Sequence, residues 1–248
     1  MRPGVLKRAL VVVGCGALAV TASACESTES ESAKIAREGG PAAAGPSALK
    51  LGAANRSVHA SDVTLLSSGG RTVVAVKLTA SGSRAQLGVP LLVNVTGKSG
   101  KVVYTNGTGG VEAALQRIAL LRPHASVWWV DDQVLTAQPG TAVKVRVGTG
   151  TSAHTSSTAP VLRTKSTHVG EQSGLSALSG ELVNGSSRAQ SKVPVYAVAL
   201  RGGKVVAAGR AVVESLAGHR GATAPFQIFL VGNPAGAKLE LTAVPAAA

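Results

Sequence analysis

SRAQLGVP at 83–90 and SRAQSKVP at 187–194 are nearly the same eight residues written twice, 104 positions apart. Extended at that offset, KLTASGSRAQLGVPLLV lies over ELVNGSSRAQSKVPVYA. One residue drops out of the next turn, and GKVV at Gly100–Val103 then meets GKVV at Gly203–Val206. PHASVWW at 123–129 lies over RGATAPF at 220–226, which sets Trp129 against Phe226, and the closing stretches VKVRV and KLELT correspond. A motif, a hairpin and a closing strand recur in order, so the repeated unit is a whole domain of about 90–100 residues, longer than a solenoid repeat.

The stretches VTLLSS, RTVVAVKLTA, VPLLVNVTG, KVVYTN and AVKVRV are short Val/Leu-rich runs parted by turn residues, and they read as strands. Val143, Val145 and Val147 alternate with Lys144 and Arg146, as in a strand with one wet face. Gly97-Lys98-Ser99-Gly100 makes a hairpin turn between two runs. VEAALQRIALL at 111–121 reads as a loop with one helical turn, because the second half is shorter there. About seven strands per unit with almost no helix predict an all-β chain of two tandem immunoglobulin-like antiparallel β-sandwiches. The expected boundaries are a signal peptide (1–24), a flexible tether (25–50), a first sandwich (51–148), a Ser/Thr/Gly/Pro linker (149–168) and a second sandwich (169–248).

In each SRAQ motif the proline, Pro90 or Pro194, lacks an amide hydrogen and suits a strand start or edge. The valine before it is pushed to an extended shape. The motif therefore reads as loop-to-edge-strand punctuation, with Arg84 and Arg188 as candidate anion contacts.

ELVNGSS, GGKVVAAG and GATAPFQIFL resemble the corresponding stretches of FxLYD-type and related immunoglobulin-like domains of bacterial lipoproteins. The resemblance runs from Leu178 to Leu230 and, more weakly, through the first half. It departs at the Pro-Gly turn of that family: the second half keeps Gly221 without the proline, and the first keeps Pro123 with His124 in place of the glycine. The resemblance implies a non-catalytic domain and assigns no functional residue.

The front end agrees with an exported protein. Arg2, Lys7 and Arg8 precede an apolar run from Ala9 to Ala22, and small residues follow it, as in a secretory signal. Ala22-Ser23-Ala24-Cys25 resembles the lipobox of bacterial lipoproteins, with alanine where leucine is usual. That resemblance implies a diacylglyceryl group on Cys25 and a membrane anchor at the extracytoplasmic face; an ordinary cut after Ala24 is the competing reading. Two acyl chains, at about 0.8 kcal/mol per buried methylene, hold a protein stably to a bilayer. Cys15 and Cys25 are the only cysteines, so no disulfide forms within the body. The abundance of Ala, Val, Gly and Arg points to a high-GC genome of the actinobacterial kind.

The net charge is +13, with 25 Lys and Arg against 12 Asp and Glu. The tether is acidic at Glu26, Glu29, Glu31 and Glu38, so the folded body holds the excess of cations. Such a body is drawn to anionic lipid headgroups and acidic wall polymer. Nucleic acid is not expected, because aromatics are 2% of the chain and base stacking needs them clustered.

Catalysis finds little support. His59, His124, His154, His168 and His219 stand at no metal-ligand spacing, and no G-x-S-x-G occurs. Gly97-Lys98-Ser99-Gly100-Lys101 has Leu92 where a phosphate loop needs glycine. Asp131 and Asp132 face opposite ways in a strand and are expected in a wet turn. No enzyme activity, metal or cofactor is therefore expected. Trp128 must point away from the core residue Trp129 and is a candidate exposed partner contact. The functional expectation is a lipid-anchored envelope protein that binds or scaffolds an envelope protein. The alternative is a binder of an anionic lipid headgroup or wall polymer.

Overall fold

The computed structural model describes residues 48–154 and 160–245. The expected signal peptide, Cys25 and nearly all of the expected tether lie outside the described residues. The described chain is almost entirely antiparallel β-strand, with one 3-10 turn at Ala113–Leu115 as its helical element.

The first half carries β1 (Val58–Ser68), β2 (Arg71–Ala80), β3 (Ala85–Gly97), β4 (Val102–Thr105), β5 (Arg117–Leu121), β6 (Ser126–Asp131), β7 (Gly140–Val147) and β8 (Thr151–Ala153). The second carries β9 (Leu162–Gln172), β10 (Leu175–Asn184), β11 (Gln190–Arg201), β12 (Lys204–Leu216), β13 (Thr223–Phe229), β14 (Val231–Gly232) and β15 (Lys238–Ala243). β1 and β9 begin and end 104 residues apart, as do β2 and β10.

The pairing register repeats as well. Val76 faces Trp129, and Gly180, which is 104 residues further on, faces Phe226. Leu91 faces Val147, and Val195 faces Ala243. The closing strands thus correspond one residue later than a direct overlay of VKVRV on KLELT suggests.

Each half pairs two sheets. In the first, β1-β2-β6 lies over a five-stranded sheet in which β3 is flanked by β4 and β5 on one edge and by β7 and β8 on the other. In the second, β13-β10-β9 lies over β14-β12-β11-β15. Val193, Val195, Ala197 and Ala199 on one face of β11 form the second half's core with Leu178, Leu182, Phe226 and Ile228. Gly180 leaves room there: a Cβ at that position would sit 2.8 Å from Phe226 Cζ.

The halves differ where the first has extra chain. β12 runs unbroken along β11, whereas its counterparts β4 and β5 are parted by residues 106–116. Asn106 fastens this insertion: its Oδ1 accepts from Val93 N at 2.8 Å, and its Nδ2 donates to Leu91 O and Leu115 O. The stretch 111–121, expected as a loop with one helical turn, is a 3-10 turn followed by β5.

Residues 149–168, expected as a linker, include β8, which adds to the edge of β3, and the opening of β9. β-branched residues at Thr151, Thr164 and Thr167 favour extended chain once a neighbouring strand offers pairing.

The other face of β11 is also covered. The register places Tyr196, Arg210 and Thr242 in one cross-strand row and Val198, Ala208 and Glu240 in the next. This face packs on the outer face of β2 and β6, where Val73, Ala75 and Val130 are fully buried. Residues of both halves, from Val58 to Val244, therefore join one apolar cluster. The four sheets stack face to face, and Gly45–Ala248 forms one compact unit.

Candidate anion-binding site

The seam between the halves accounts for two residues whose environment the sequence misjudged. Trp128, expected to be exposed, is 4% exposed. Its Nε1 donates to Glu240 Oε2 at 3.0 Å, and Lys77 Nζ lies 5.8 Å from its ring centre. It does point away from Trp129, as strand geometry requires, but the second half covers it. Hydrogen bonds from Lys238 and Trp128 hold the Glu240 carboxyl below its ordinary pKa.

Asp131 and Asp132 do face opposite ways, but not in a wet turn. Asp131 is fully buried inside the first half, where Tyr104 donates its hydroxyl to Oδ2 at 2.6 Å and Gln133 N donates to Oδ1 at 3.0 Å. Burial pushes its pKa up to about 6, against the pull of those two hydrogen bonds. Burial and the Asp131 charge raise the Tyr104 hydroxyl further above its ordinary value. Asp132 turns to the seam and accepts from Arg210 Nε at 3.0 Å, while Arg210 Nη2 donates to Glu112 at 2.9 Å. Burial alone would lower the Arg210 pKa, but the bond to Glu112 and the Asp132 charge keep it raised. This cluster holds two halves together. Its acids are each occupied by a partner.

The site with unspent chemistry lies at one end of the second half. A cavity of about 500 Å³ is lined by Arg163, Arg188, Arg220, Ser187, Val161 and Val183, among others. Arg163 sits directly across from Val183 in the β9–β10 ladder. Arg188 belongs to the SRAQ loop, and Arg220 immediately precedes the left-handed Gly221 (φ 86°). None of the three guanidiniums has a carboxylate partner or hydrogen-bond acceptor among the described residues.

Asn184, fully buried, organises the walls of this cavity. Its Nδ2 donates to Arg188 O and Ala217 O, both at 2.8 Å, and its Oδ1 accepts from Ser186 N and Ser186 Oγ. Its backbone carbonyl accepts from Gly221 N at 2.7 Å, and Gly185 N donates to Val161 O at 2.7 Å. One buried amide thus fixes the SRAQ loop against the Arg220 turn, beside the start of β9. Three arginines line one cavity with no acid among its lining residues, an arrangement suited to an anion.

The first half lacks this arrangement. At the matching positions stand His59, Arg84, Pro123 and Ala80. Arg84 Nη2 lies 3.5 Å from Ser152 O. The sequence singled out Arg84 and Arg188 as equals, and the structure brings Arg163 and Arg220 to one cavity with Arg188. Arg163 and Arg220 were missed because they are far apart in the chain and only the β9–β10 register and the turn at Gly221 bring them together.

No protein-family model matches the chain, and no curated protein matches its sequence.

Proposed function

We propose that the protein is a lipid-anchored envelope lipoprotein whose paired sheets form immunoglobulin-like sandwiches, and that it works as a non-catalytic module binding an anionic envelope ligand. The observation that carries the reading is the cavity shared by Arg163, Arg188 and Arg220 with no acid opposite them. The lipobox-like Ala22–Cys25 and the signal ahead of it support the anchor. The positive net charge supports attraction to an anionic surface. Protein scaffolding through Trp128 loses its support, because that ring is buried in the seam.

Two measurements test the reading. Metabolic labelling with a fatty-acid analogue is expected to mark the wild-type chain and not Cys25→Ser; an unlabelled wild type removes the anchor. Retention on an anionic matrix is expected to fall with salt and to drop in the Arg163→Ala, Arg188→Ala, Arg220→Ala triple variant. Equal retention of that variant removes the anionic ligand.

A further inference from the structure

Resting on the anionic-ligand reading, we infer that the cavity of the second half is a phosphate-ester site, holding a phosphate group on a larger molecule between Arg163, Arg188 and Arg220. The number and kind of donors argue for this class. A guanidinium offers five N–H donors in a planar fork, and one fork already satisfies both oxygens of a carboxylate. Three forks around one cavity suit an anion with more acceptor oxygens than a carboxylate has, spread in three dimensions. A phosphate group meets that requirement, and arginine is the residue that binds it bidentately.

The rest of the lining agrees. Ser187 carries a hydroxyl free to donate, whereas the Ser186 hydroxyl is committed to Asn184. Val161 and Val183 give the wall an apolar side. The volume, about 500 Å³, falls in the range of sites for small organic ligands, so the phosphate is one part of the occupant. A lipid headgroup and a polyol-phosphate wall polymer share this chemistry. The backbone that carries Arg188 and Arg220 is already organised, since Asn184 holds the Arg188 loop and the Arg220 turn with every polar atom of its amide used. The site belongs to the second half alone, because His59 and Pro123 stand where Arg163 and Arg220 would be needed in the first.

The test is equilibrium binding to the full chain of four probes: glycerol 3-phosphate, soluble poly(glycerol phosphate), phosphatidylglycerol vesicles against phosphatidylcholine vesicles, and citrate. The phosphate probes are expected to bind. Affinity should fall about tenfold or more for each of Arg163→Ala, Arg188→Ala and Arg220→Ala, and stay unchanged for Arg84→Ala. These arginines are exposed, so the variants should keep the wild-type circular dichroism. Tighter binding of the polymer than of vesicles identifies wall polymer as the source of the phosphate, and the reverse identifies lipid. Citrate binding as tightly, with the same dependence on the three arginines, overturns the phosphate class and leaves the anionic reading standing. Binding indifferent to all three arginines, or no anion bound, overturns both.

Discussion

Arg210 Nε donates to Asp132 Oδ1 at 3.0 Å, reaching from the second half into the first. The arginine side chain is 4% exposed, and its Nη1 is buried with no partner. Removing Asp132 therefore leaves a buried cation short of a second bond. Asp132→Ala is expected to cost about 1–3 kcal/mol, because the buried Nε loses its acceptor while Glu112 still pairs the cation. Arg210→Met should cost less: it keeps volume, and Asp132 and Glu112 are accessible enough to hydrate, at 18% and 38% exposure. Urea denaturation of both variants checks the order. A larger loss in Arg210→Met contradicts this account of the seam.

The same seam makes the halves one folding unit. Trp128, on β6, faces β15 and is bonded to Glu240. Trp128→Ala is expected to cost about 3–5 kcal/mol, as buried aromatic truncations do. Both tryptophans lie in the first half, so their fluorescence follows that half while far-ultraviolet dichroism follows both. Wild-type transitions by the two probes should coincide. In Trp128→Ala they should separate, and separate transitions already in wild type would show that the halves unfold independently.

The repeat and its strands were legible because β-structure writes a period of two into the chain, and two copies of one unit check each other. The match of Trp129 to Phe226 emerged from the sequence and reappears in the ladder register. The stacking of the halves was not legible. An aliphatic strand such as RTVVAVKLTA, buried on both faces, differs little in pattern from one buried on a single face. GKVVAAGRAVV did carry a hint, a single arginine at Arg210 in an apolar strand, but its partners lie 78 and 98 residues away. The arginine cavity was partly visible in the SRAQ motif. Arg163 and Arg220 had no local mark, being two of many scattered cations.

Asp131 should give the fold a pH dependence of unusual sign. Its folded pKa is about 6, above the ordinary 3.8, so the folded state holds the proton more tightly than the unfolded chain does. The stabilisation this provides is full below about pH 4 and is lost as pH rises through about 6. The size is about 3 kcal/mol, from roughly two pH units at 1.36 kcal/mol each. Asp131→Asn stays neutral and can still meet Tyr104 and Gln133, so it should lack this term. The wild type should therefore lose stability relative to Asp131→Asn between about pH 4 and pH 7.5 in urea titrations. Parallel curves for the two proteins would mean that Asp131 ionises in the fold as freely as in the open chain.

Asn184 connects the fold to the proposed ligand without carrying charge. Asn184→Ala leaves the carbonyls of Arg188 and Ala217 without their donor, at a cost of about 1–3 kcal/mol. The body tolerates alanine at the matching position of the first half, Ala80, so the variant should fold. Its SRAQ loop should loosen, with faster hydrogen exchange at Gly185, Ser186 and Gly221, whose amides are now bonded. Phosphate-ester binding should weaken although all three arginines remain, because the backbone carrying Arg188 and Arg220 must now be ordered as the ligand arrives. Undiminished affinity alongside faster exchange would mean that the cavity's charge alone does the binding and its rigidity contributes nothing.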